Sequence, residues 1–147
     1  MGRSTAAYIL HNRKLLLLLR DDIPTIKDPN TWDTPGGACE GDESFDDCLK
    51  REVEEELELK VTNFIYLGNR RTPNGNIEAN YVIEITDVEV NSLVQHEGQA
   101  YKFFTPDELD TLAMTKHLHQ VFAQDLPELK EIIKGKRSNI LLTIINE

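Results

Sequence analysis

The chain is poor in the features that mark several classes of protein. Only two cysteines, Cys39 and Cys48, occur in 147 residues, too few for a disulfide framework, and they lack the spacing of a metal site. No stretch approaches the ~20 apolar residues that a bilayer span takes. The leucine run at 15–19 follows Arg13 and Lys14 and reads as a strand buried on both faces. No secretory leader and no membrane partner are expected, so a reducing cytoplasm is the expected compartment. Bases are outnumbered, 16 against 26 acids, for a formal net charge of −10. A surface of that sign repels a long polyanion, which sets aside nucleic-acid polymers as partners; a small phosphorylated substrate held through a cation stays open. No internal repeat or low-complexity linker divides the sequence, and 147 residues suit a single domain, 1–147, with one sizeable core.

The informative stretch runs from Trp32 to Leu59, WDTPGGACEGDESFDDCLKREVEEELEL, a glycine turn followed by a helix predicted from Phe45 to Leu57 with Ser44 as its N-cap. At about 100° per residue, with Phe45 at zero, Leu49 falls near ~40°, Cys48 near ~300° and Val53 near ~80°. Glu52 (near ~340°) and Glu56 (near ~20°) fall inside that apolar stripe, and Glu55 lies at its edge. An ionised carboxylate facing a core is costly unless it is paired or binds a metal, and hard cations such as Mg²⁺ take oxygen ligands. On spacing alone a metal-binding face and a solvated acidic face both stay open. Arg51 reaches Asp47 at i,i+4 on the same wheel.

Around this core the chain reads as a strand over Ser4–Leu10, a turn at His11–Arg13, a strand over Lys14–Arg20 and a loop over Asp21–Thr31. Strand-like tracts follow within 60–69 and over Asn80–Thr86, joined by a turn with Asn74-Gly75 as hairpin signal. Val88–Val94 reads as extended, Thr105-Pro106 starts a short helix, and an amphipathic helix begins at Lys116. His11, His117 and His119 read as surface or packing residues, and Arg70 and Arg71 as solvated charge with a phosphate contact as the rival reading. The apolar end, SNILLTIINE, is expected to pack on the body or on a second subunit, which leaves a homodimer open. Strand, strand, helix, strands and helix in this order make the fold class α/β.

Gly37, Glu43, Arg51, Glu52, Val53, Glu55, Glu56 and Leu59 together resemble the signature of the MutT-like Nudix hydrolases: G, five residues, E, seven residues, R-E-U-x-E-E-x-G-U, with U a bulky aliphatic. One position departs, since Glu58 stands where the family has its second glycine. The resemblance implies an α/β/α sandwich with a mixed β-sheet. It implies a Mg²⁺-dependent hydrolase, with Mn²⁺ as a substitute, acting on a nucleoside diphosphate linked to another moiety: a nucleoside triphosphate, ADP-ribose or a dinucleoside polyphosphate. Metal ligands would be Glu52, Glu55, Glu56 and the Gly36 carbonyl; Arg51 would orient the neighbouring glutamate. The tract from Glu97 to Leu109 resembles the family's later acidic loop, which makes Glu97 the candidate general base and His96 a weaker one. Pro73 stands close to where the family's ADP-ribose pyrophosphatases tend to carry a proline, with a turn proline as the plainer reading. The rival readings are a catalytically silent nucleotide-binding module and a non-nucleotide diphosphate enzyme of the same fold.

Overall fold

The computed structural model describes residues 2–72 and 75–136. Among the described residues seven strands form one mixed sheet: β1 (Arg3–His11), β2 (Lys14–Leu19), β3 (Trp32–Asp33), β4 (Gly36–Ala38), β5 (Ile65–Arg71), β6 (Ile77–Glu84) and β7 (Ala100–Phe104). The same residues form the helices α1 (Phe45–Leu57), α2 (Asp87–Asn91) and α3 (Lys116–Ile133), with a 3-10 turn at Asp107–Asp110. The main path of the sheet is β3-β2-β1-β6-β5, with β4 paired to β1 and β7 to β2. β1 runs parallel to β6 from Arg3↔Ile77 to Leu10↔Glu84 and antiparallel to β4 through Ala6↔Gly36. β1 therefore carries the glycine strand directly.

The leucine run explains why the sheet is covered twice. Side chains alternate along a strand, so Leu15 and Leu17 join the cluster under α3 while Leu16 and Leu18 join the cluster under α1. In β1, Tyr8 and Leu10 face α3, and Ala7 and Ile9 face α1. Leu49, Val53 and Leu57 of α1 close one layer, and Leu118, Val121, Phe122 and Leu129 of α3 close the other. Each such side chain stabilises the fold by roughly 1.5–3 kcal/mol when fully buried. The result is the α/β/α sandwich.

Several boundaries match the expectation and some do not. The turn between β1 and β2 has positive φ at both Asn12 (50°) and Arg13 (58°), the pattern of a type I′ hairpin. β6 begins at Ile77, earlier than expected, because its parallel ladder with β1 already starts there. Val88–Val94 is not extended: Thr86 and Glu89 form a reciprocal capping box that starts α2 at Asp87. Pro73, Asn74 and the apolar stretch SNILLTIINE lie outside the described residues. Among the described residues no helix is long and apolar enough to cross a membrane.

Candidate active site

α1 starts where the sequence says it should. Ser44 accepts a hydrogen bond from the Asp47 N–H at 3.1 Å, and the first turn carries Asp46 and Asp47, acids placed favourably at a helix N-terminus. Cys48, Leu49, Val53 and Leu57 are buried, and with them, only 6% exposed, Glu56. Glu52 has 15% of its side chain exposed and Glu55 58%. The stripe thus holds Glu56 fully, Glu52 largely and Glu55 at its rim.

Two glycines make room for these acids. Gly36 has φ +131°, and a Cβ there would lie 2.2 Å from the Thr5 carbonyl oxygen, so β4 can pair with β1 only with glycine at this place. Its N–H donates to Glu56 Oε1 at 2.8 Å. A Cβ on Gly37 would meet Glu52 Oε2 at 2.6 Å, so the bare backbone lets Glu52 lie against the strand.

Arg51 does not pair with Asp47 as the helix wheel suggests. Its Nη2 donates to Glu43 Oε1 at 2.7 Å and to the Ala38 carbonyl at 3.0 Å, its Nε to Glu43 Oε2 at 3.0 Å, and its Nη1 to Glu52 and Glu55 at 3.1 and 3.0 Å. The fork of donors clamps the turn to the helix, and it holds the Glu43 carboxyl down at about 2. Sequence spacing favours Asp47, one helical turn away, over Glu43, eight residues away; the chain reversal at Gly41 (φ 50°) brings Glu43 back.

Glu97 reaches the site through a loop pinned to α1 and β2. The His96 N–H donates to the Glu56 carbonyl at 2.8 Å, and the Gln99 N–H to the Leu19 carbonyl at 2.8 Å. Burial first, and then the hydrogen-bonding Glu97 carboxyl, push the Glu56 carboxyl up to about 9, opposed by the Gly36 N–H. Burial also raises the Glu52 carboxyl, opposed by Arg51. Gly36, Glu56 and Glu97 line one cleft of about 320 Å³. Glu52 and Glu55 stand beside it in the grip of Arg51. His96 turns away to the Glu58 carboxylate.

Other functional-looking groups escaped the sequence reading. A second cleft of about 510 Å³ adjoins the first, with Arg20 and Asp33 lining both. Its floor includes Glu78, 5% exposed, whose Oε2 pairs with His117 Nε2 at 2.7 Å. Arg70, expected in solvent, is buried and pairs with Asp125 at 2.5 Å. Glu78 and Asn80 alternate with Ala79, Tyr81 and Ile83 on β6, so two polar residues share one core-facing row; that pattern was the available signal. Cys39, Glu43 and Cys48 place ligand atoms within 4.8 Å of one another, but Arg51 already takes both Glu43 oxygens.

A carboxylate-lined helix laid over a glycine strand, on one face of a mixed sheet covered on the other by a second helix, defines the class as an α/β/α sandwich. The model of the NUDIX domain matches residues 1–126. The chain belongs to the NUDIX family of pyrophosphohydrolases. It is similar to the ORF135 protein of E. coli, at 28% identity over 93% of this chain and 91% of that one, TM-score 0.65. It also shares its fold with a MutT protein from Methanosarcina mazei (19% identity, 93% and 96% covered, TM-score 0.66). An ADP-ribose pyrophosphatase from Streptococcus suis shares it too (22% identity, 99% and 98% covered, TM-score 0.67).

Proposed function

We propose that the chain is a Mg²⁺-dependent hydrolase of a nucleoside diphosphate linked to another moiety, with water attacking phosphorus. The observation that carries this reading is Glu56, an acid buried in an apolar stripe with a second acid, Glu97, against it. Among the described residues Arg51 bonds Glu43, Glu52 and Glu55 but neither Glu56 nor Glu97. That donor set, all hard oxygens and short of positive charge, fits a divalent ion. Glu52, Glu55, Glu56 and the Gly36 carbonyl would hold it, and it would supply charge neutralisation at the diphosphate oxygens and a lower pKa for water.

The protein's own residues do the rest. Gly36 and Gly37 hold the strand close enough for Glu52 and Glu56 to act from one helix. Arg51 fixes the Glu52 and Glu55 rotamers, positioning that phosphoryl chemistry depends on. Glu97, on an exposed loop beside Glu56, would accept the proton of the attacking water. The ADP-ribose pyrophosphatase and the MutT protein among the structural neighbours support nucleotide substrates as the first to try.

A phosphate-release screen over nucleoside triphosphates, ADP-ribose and dinucleoside polyphosphates, with and without Mg²⁺, tests the reading. Turnover that requires the metal is expected. Turnover in its absence, or no Mg²⁺ or Mn²⁺ uptake by calorimetry even with nucleotide present, would overturn it; uptake with turnover confined to other diphosphates would select the non-nucleotide enzyme.

A further inference from the structure

The only two cysteines of the chain meet in space. Cys39 follows β4 directly, its N–H donating to the Arg3 carbonyl at 2.8 Å, and Cys48 lies in the first half of α1. Their sulfurs and a Glu43 oxygen all stand within 4.8 Å of one another. Arg51 takes both Glu43 oxygens, so the two sulfurs are left to each other. Cys48 is 0% exposed, its sulfur 3.7 Å from the Thr5 hydroxyl and from the Gly37 carbonyl. Cys39 is only partly buried. Burial first, and then the neighbouring Cys39 thiol, push the Cys48 thiol up, so Cys48 stays protonated while Cys39 meets solvent. Side-chain rotation closes the remaining gap to the ~2 Å of a disulfide.

We propose that Cys39 and Cys48 form a modification site, converted by a peroxide into a disulfide within the chain, and that this bond slows the enzyme. The Cys39 thiolate sulfur attacks one peroxide oxygen. The O–O bond breaks, hydroxide leaves and is protonated to water, and Cys39 becomes a sulfenic acid, oxidised by two electrons. The Cys48 sulfur then attacks the Cys39 sulfur, the S–O bond breaks, and the departing hydroxide takes the Cys48 proton as a second water. Hydrogen peroxide is thereby reduced to two waters. A thiol reductant reverses the bond by exchange.

The disulfide acts through Arg51. Nη2 of that residue holds the Ala38 carbonyl at 3.0 Å and Glu43 at 2.7 Å, the residue before Cys39 and the acid beside both sulfurs. Drawing Cys39 onto α1 shifts these two acceptors, and the same guanidinium sets Glu52 and Glu55. The bond itself is independent of the proposed hydrolase reading; its effect on turnover rests on it.

Reduced protein treated with hydrogen peroxide, then denatured and alkylated, should show neither thiol free and each chain lighter by two hydrogens. Turnover should fall by roughly ten- to a hundredfold in step with thiol loss. Melting should come no lower than for the reduced protein, and dithiothreitol should restore activity. Cys39→Ser should keep its basal turnover and keep it in peroxide. In Cys48→Ala the Cys39 sulfenic acid should persist and be trapped by dimedone. Oxidation confined to Cys39 in the wild type, or a bond between two chains, would overturn the site. A disulfide with unchanged turnover, or Cys39→Ser inactivated as fast as wild type, would overturn its effect. Should Cys48→Ala fail to fold, Cys39→Ser carries the comparison. If the reduced protein hydrolyses nothing, the hydrolase reading falls, while thiol count and mass still decide whether the bond forms.

Discussion

Glu56 and Asp125 are both buried acids, on α1 and α3, on opposite faces of the same sheet. Asp125 is 0% exposed and meets Arg70 Nη1 at 2.5 Å. Glu56 meets a backbone N–H and another acid. An acid buried with its own cation completes itself on folding, whereas an acid buried against an acid is completed only by charge from outside. The same residue chemistry therefore marks structure on one face and the proposed site on the other.

The sharpest way to break this contrast is to remove Asp125. Asp125→Ala leaves the Arg70 guanidinium buried with Glu78, at 3.8 Å, as its remaining acid among the described residues, and truncating one partner of a buried ion pair costs about 3–5 kcal/mol. Denaturant unfolding should show a loss of that size. A loss under about 1 kcal/mol would mean that Arg70 finds another partner and that the two acids do not differ in kind.

The converse holds on α1. Glu56→Gln and Glu55→Gln should each retain the fold and lower turnover on the order of a hundredfold, about 2.7 kcal/mol in barrier, with a smaller loss for Glu97→Gln. In metal-free protein the sign for Glu56 is definite. Its carboxyl rises from 4.5 to about 9 on folding, so the native state holds a proton that the unfolded state releases, and stability falls as pH rises through that window. Glu56→Gln should flatten this part of the pH profile and melt no lower than wild type at pH 8. A melting temperature depressed as far as that of Asp125→Ala would erase the comparison.

The two faces also differed in how far they could be read beforehand. α1 is local: its cap, its stripe and the inward Glu56 all lie within 14 consecutive residues, 44–57, and periodicity suffices. The α3 side is not. Asp125 and Arg70 are 55 residues apart, and no local pattern says that an arginine on a strand is buried by an acid on a later helix. Glu97 lies between these cases: its loop is visible in sequence, but its approach to Glu56 depends on backbone bonds to Glu56 and Leu19. At Val88–Val94, the valine content outweighed the Thr86–Glu89 capping box, although both capping residues were in view.

The smallest effect concerns Glu58, the position where the family motif has glycine. The departure does not change the path of the chain: Glu58 takes φ 53° and ψ 33°, and its N–H still reaches the Glu54 carbonyl at 2.9 Å. A non-glycine residue in this region costs about 1–2 kcal/mol, partly offset because glycine loses more backbone freedom on folding. Against that stands the Glu58 contact with His96, half exposed on both sides and worth about 0–1 kcal/mol. Glu58→Gly should therefore stabilise the fold by less than about 1 kcal/mol, while Glu58→Ala, which keeps the strain and loses the contact, should destabilise it slightly. A larger loss in both variants would show that the contact clips the Glu97 loop to α1. Glu58 would then be an acid compensated by its neighbour, as Asp125 is, on the same helix as one that is not.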